Sequence, residues 1–176
     1  MGHPPTATQL LLLPPYLLSF LILLLTSYLS DRFSTRSIPL ITHCLLASTG
    51  YLVLALAPTL DLSPTTRYLA LFPTTVGFFS AITMIITWNL NNQRSGTAKG
   101  VATTIMNVVG QCGPLLGTRL YPEVDGPFYT KGMAVCAGFM LWSSLLAWGL
   151  RWWLARWNRL HGGRMGEKSD GWRYLL

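Results

Sequence analysis

From Leu10 to Leu29 the chain runs twenty residues without a charged side chain, and that run constrains everything else it can form. A hydrocarbon layer ~30 Å thick is crossed by about 20 helical residues at 1.5 Å each. Four further runs of the same kind follow, at 38–57, 68–90, 101–118 and 133–150, and none of the five contains Asp, Glu, Lys or Arg. In lipid each backbone N–H and C=O must be satisfied within its own segment, so these runs are expected to be helices. The predicted fold is an all-α membrane protein with five transmembrane helices within residues 1–160, followed by a cytoplasmic tail, 161–176, without fixed structure.

Composition agrees, since 51% of the residues are hydrophobic and 11% charged, where a soluble domain carries roughly 25% charged residues. The net charge of +7 does not imply a nucleic-acid partner, because the basic residues sit at the ends of apolar runs rather than along one face. Cys44, Cys112 and Cys136 all fall inside apolar runs with no CxxC or Cys/His spacing. They read as small buried hydrophobes, with no disulfide framework, metal site or cofactor called for. The first run is read as a spanning helix rather than a leader: no Lys or Arg precedes it, and it ends at Ser30-Asp31-Arg32 rather than at small residues.

Ten Lys and Arg residues fall on one side of the alternating segments: Arg32, Arg36, Arg94, Lys99 and six in the region after Leu150. Arg67, Arg119 and Lys131 fall on the other. The positive-inside rule then places the N-terminus outside and the C-terminus in the cytoplasm. After the fifth run, Trp148, Trp152, Trp153 and Trp157 interleave with Arg151, Arg156 and Arg159. Such a mixture could stack on single-stranded nucleic acid, but its position after a spanning helix favours an aromatic belt with headgroup-binding arginines.

The third run and the residue that follows it carry Pro73, Gly77, Ser80, Thr83, Thr87 and Asn91 at three- and four-residue steps, which puts small and polar groups on one helical face, with a kink expected at Pro73. That face is either a helix contact or the wall of an aqueous cavity. Ser and Thr can also satisfy themselves on the carbonyl one turn back. In the fourth run Asn107 and Gln111 share a face, and Gly110, Gly113 and Gly117 with Pro114 leave the backbone bare and locally broken. Close helix packing is the favoured reading of the glycines, with a pathway or gating role the alternative for Asn107. His43, near one end of the second run, reads as a satisfied structural histidine rather than a proton relay. No nucleophile–base set or phosphate loop appears, and no carboxylate lies inside a run, so an enzyme is not expected.

The turn after the first run, Ser27 to Arg36, resembles the G-x-L-x-D-R-x-G-R-[RK] signature of the major facilitator superfamily. Leu29, Asp31, Arg32 and Arg36 match, while Ser27 and Ser34 replace glycines and Thr35 an arginine. Other stretches resemble the fungal anion:cation symporter branch, which includes allantoate, nicotinate and pantothenate permeases. They are Gln9-Leu10 through Pro14-Pro15-Tyr16, Trp88-Asn89 followed by Gly96-Thr97-Ala98-Lys99, Asn107 with the three glycines, Asp125 to Tyr129, and Trp172 to Leu176.

The resemblance implies that the five runs correspond to helices 8 to 12 of a twelve-helix, proton-coupled organic-anion transporter in the plasma membrane. It implies that Ser80, Thr83 and Thr87 line a cavity, Asn89 and Asn107 help form a gate, and Asp31, Arg32 and Arg36 stabilise one conformation. The glycines of the fourth run would meet the other half. A chain of this extent is expected to be inactive alone, because no run supplies an interior cation for an organic anion and alternating access needs both halves. Its expected partners are the lipid bilayer, the missing half or another transporter chain, and the small solute when complete. The competing reading is a non-transporting membrane partner that docks another transporter half.

Overall fold

The computed structural model describes residues 5–161 and 174–176. Six α-helices follow in order: α1 (Pro5–Phe33), α2 (Ser37–Ala55), α3 (Pro64–Asn91), α4 (Gly96–Gly110), α5 (Cys112–Leu120) and α6 (Thr130–His161), with one 3-10 turn at Glu123–Asp125. No strand occurs among the described residues. α2 lies between α3 and α6, and α1 packs on α3. Four helices, α1, α2, α3 and α6, are long and apolar enough to cross a membrane.

The helices outrun the charge-free segments because an α-helix can carry its polar ends beyond the hydrocarbon layer. α1 starts ahead of Leu10, so Pro14 and Pro15 lie inside it rather than near its start. A proline at position 15 cannot donate to the carbonyl of Leu11. The Tyr68 hydroxyl donates to that carbonyl instead, at 2.9 Å, and so ties α3 to α1. α6 likewise continues past Leu150 and carries Arg151, Arg156 and Arg159 on regular helix.

α1 and α2 are joined by a tight turn in which Ser34 has φ +50°, the left-handed region that glycine enters freely. It occupies the position of the signature's second glycine. The turn is closed by Ser34 N–H and Thr35 N–H donating to the carbonyls of Asp31 and Ser30, both at 3.2 Å. α3 starts on a Ser63 cap whose hydroxyl accepts from Thr66 N–H at 3.2 Å, followed by Pro64, where a missing N–H costs nothing.

The contact between α2 and α3 is close enough to depend on two glycines. A methyl group on Gly77 would lie 2.5 Å from both the Ala47 nitrogen and the His43 carbonyl oxygen. One on Gly50 would overlap the Thr74 hydroxyl and lie 2.8 Å from the Thr74 nitrogen. On its other side α2 is bonded to α6, with the Ser48 hydroxyl donating to the Ala137 carbonyl at 2.9 Å and Arg151 to the Ser37 hydroxyl at 2.6 Å.

The fourth predicted segment is not one helix but two, α4 and α5, interrupted at Gln111. Pro114 explains the break, because its ring clashes with, and cannot donate to, the carbonyl of Gly110. Neither piece contributes a buried residue. Of the tail expected to lack fixed structure, residues 162–173 lie outside the described residues. That expectation does not hold at Tyr174–Leu176, whose backbone is hydrogen-bonded to the bundle.

Candidate solute pathway and gate

The polar face of α3 is made of hydroxyls that differ in what they bond. Thr83 donates to the Phe79 carbonyl at 3.1 Å and Thr87 to the Thr83 carbonyl at 2.8 Å, each satisfied one turn back on its own helix. Both are partly exposed. Ser80 is fully buried, and its hydroxyl has no hydrogen-bond partner among the described residues. An orphaned buried hydroxyl lowers stability. Ser80→Ala should therefore leave this chain as stable as before or stabilise it by up to about 1 kcal/mol, read from the midpoint of unfolding in mixed micelles. A clear loss of stability would show that Ser80 has a partner in the folded protein.

At the end of α3 the side chains become amides. Asn89 donates to Met106 Sδ on α4, and Gln93 donates to Asn89 Oδ1 at 3.2 Å. These amides and Asn92 form the polar end of a groove of about 630 Å³ between α2, α3 and α6, whose apolar floor includes Leu40, Cys44 and Ala81. Asn107 does not join them: it is exposed on α4, and the residue that reaches Asn89 is its neighbour Met106.

The turn between α1 and α2 lies at the same end. Arg36 is buried and donates to Ser30 Oγ at 3.1 Å and to the Asp31 carboxylate. Asp31 is largely exposed and Arg32 is exposed, so of the three residues proposed for conformational control, two form an ion pair and the third faces outward. One helix away, His43 donates from Nδ1 to the Pro39 carbonyl at 2.8 Å, which leaves Nε2 to accept from the Thr26 hydroxyl at 3.3 Å. Both ring nitrogens are thus engaged.

At Gly110, Gly113 and Gly117 an added methyl would meet nothing within 4 Å. Their face is open, and the glycines at close approaches are Gly50 and Gly77, between α2 and α3, and Gly132 on α6, where a methyl would lie 2.6 Å from the Leu120 carbonyl at the end of α5. Sequence reasoning named Gly77 only as part of a polar stripe and passed over Gly50. A signal was available, because glycine inside a helix costs about 1 kcal/mol relative to alanine and usually marks a close approach. Asn92 and Asn158, which hold Tyr174–Leu176, were also missed.

Four helices long and apolar enough to cross a membrane, with amides gathered at the end of α3, define a helical membrane protein with a candidate solute path, and comparison with known proteins gives this class a family context. The chain is 26% identical over 165 residues to an MFS-type transporter, efuF, of Hormonema carpetanum, a match covering 94% of this chain and 33% of that protein. It is 24% identical over 153 residues to the MFS transporter prlL of a fungal species (86% of this chain, 30% of the relative). It is also 24% identical over 146 residues to an uncharacterised transporter of Schizosaccharomyces pombe (80% and 28%). These likenesses, at 26% identity and below, support membership of the major facilitator superfamily. The chain spans about a third of the length of the curated relatives it matches. No family model and no solved structure matches it.

Proposed function

We propose that the chain supplies the last five membrane crossings of a twelve-helix transporter of the fungal anion:cation symporter kind, which moves a small organic anion or vitamin-like solute together with protons. The observation that carries this reading is the similarity to transporters over 94% of the chain, with the order of the family's motifs kept from the Asp31 turn to Tyr174. α4 and α5 then act as one interrupted crossing. From Gly96 to Leu120 they reach about 37 Å at 1.5 Å per residue, enough for the hydrocarbon layer. The short turn and the end of α3 face the plasma-membrane cytoplasm in this reading, where the excess of basic residues belongs.

Ser80, Thr83 and Thr87 serve the solute path from one face of α3, the partly exposed Thr83 and Thr87 directly and the buried Ser80 hydroxyl once helix movement uncovers it. Asn89 and Asn107 flank the gate from α3 and α4, the Asp31–Arg36 pair holds one conformation together, and the open face with Gly110, Gly113 and Gly117 receives the other half. The cation that neutralises the anion comes from helices outside this chain.

Uptake of labelled small carboxylates into proteoliposomes under an imposed pH gradient tests this. The chain alone should give no uptake above empty liposomes. The chain reconstituted with the preceding seven helices of a relative should give saturable uptake that disappears when the gradient is collapsed. Saturable uptake by the chain alone would overturn the partial-transporter reading, and uptake indifferent to the gradient would overturn proton coupling. The open α4–α5 face also favours a second reading, a non-transporting partner that docks another transporter half. In that case a transporter should co-purify with the chain, and Gly113→Leu with Gly117→Leu should abolish the association.

A further inference from the structure

Tyr174, Leu175 and Leu176 are held almost wholly by their main chain. Asn158 accepts from Tyr174 N–H at 3.1 Å and donates to the Tyr174 carbonyl at 2.9 Å. Asn92 does the same for the next residue, accepting from Leu175 N–H at 2.8 Å and donating to its carbonyl at 3.2 Å. Trp88 Nε1 donates to that carbonyl at 2.8 Å, and the N–H of Arg36 donates to the Leu176 carbonyl at 2.7 Å. Tyr174 and Leu176 meanwhile pack on the apolar cluster that includes Leu40, Trp88 and Leu154.

An asparagine amide presents one acceptor and two donors in a plane, so a side chain that engages both the N–H and the C=O of one residue imitates the edge of a β-strand. Two such amides, from α3 and α6, grip successive residues. This grip reads backbone rather than side chain, and side-chain selection is left to the apolar seats. Both asparagines are half-buried, where an unpaired amide is costly, so the site favours being filled.

We propose that Asn92 and Asn158, with Trp88, form a peptide-binding clamp whose ligand is a short apolar peptide segment, occupied here by the chain's own Tyr174–Leu176. Its occupancy closes the polar end of the groove. Tyr174 and Asn92 both line that groove, and the seated segment ties the end of α3, α6 and the α1–α2 turn into one unit. The clamp does not depend on what a larger assembly transports.

Cys44 provides the readout, because it lines the groove and is 2% exposed. In a Cys112→Ser, Cys136→Ser background, alkylation of Cys44 by N-ethylmaleimide should be slow. It should accelerate about tenfold when the chain is ended after Arg173, and similarly in the Asn92→Ala, Asn158→Ala double variant. Added acetyl-Tyr-Leu-Leu should restore slow labelling to the shortened chain but not to the double variant. Unchanged rates in both variants would overturn the proposal. So would a shortened chain that stays fast at saturating peptide, since it has then lost its fold rather than its occupant. Rescue of the double variant by the peptide would remove the asparagines from the role assigned to them.

Discussion

Gly77→Val is expected to separate α2 from α3 and to destabilise the bundle by about 3 kcal/mol, the upper part of the range for overpacking a tight contact. The first carbon of the new side chain would already lie 2.5 Å from two backbone atoms of α2, the Ala47 nitrogen and the His43 carbonyl oxygen. A side chain in the way can change rotamer, but two backbone atoms of a hydrogen-bonded helix can yield only if the helix moves. Moving α2 strains its bonds to α6 through Ser48 and Ser37, so the damage is not local. Gly113→Val is the matched control. It meets nothing within 4 Å and should shift stability by less than about 0.5 kcal/mol, the difference in helix propensity. Reversible unfolding by SDS in mixed micelles, followed by tryptophan fluorescence, measures both. Equal midpoints for the two variants would remove Gly77 from the role assigned to it.

The second large effect belongs to the turn. Asp31→Ala should cost about 2 kcal/mol, because it leaves the Arg36 guanidinium buried with its anion gone. The side chains are 11% exposed for Arg36 and 64% for Asp31, and this asymmetry sets the order of effects. Removing the acid strands a buried charge that keeps only the Ser30 hydroxyl. Removing the base by Arg36→Leu returns a carboxylate to water and should cost less, about 1 kcal/mol. The exposure of Asp31 also keeps the first figure below that for a fully buried pair. The same unfolding measurement orders the two variants, and a larger loss for Arg36→Leu would show that packing of the arginine stem outweighs the charge.

The spanning helices could be read from the sequence because their signal is local: a run without charge must be helical in lipid wherever it sits. The same holds for the turn at Ser34, where the resemblance to a glycine-containing signature coincides with a positive φ. The break at Gln111 was half legible, since Pro114 announces a local fault but not that it divides the segment into two helices. Partners distant in sequence were not legible. The Tyr68 hydroxyl repairs a carbonyl orphaned by Pro15 from 57 residues away. Asn92 meets Leu175 across 83 residues, and no periodicity in either stretch announces that meeting. The candidate pathway shows both cases: the stripe on α3 was visible as spacing, but which of its hydroxyls is satisfied depends on neighbours. Thr83 and Thr87 close on their own helix, and Ser80 does not.

The glycine-to-backbone fit of α2 against α3 also bears on how the chain is assembled during synthesis. These two spans are neighbours in sequence, joined by residues 56–63, and together they bury their bare backbone faces without help from any other part. They can therefore enter the bilayer as a paired hairpin. α1 is made first, but it packs on α3 and must wait for that hairpin before it settles. α6 then closes on the free side of α2. The order of seating would then depart from the order of synthesis, with α2–α3 as the seed and α4 and α5, neither of which contributes a buried residue, the last to dock.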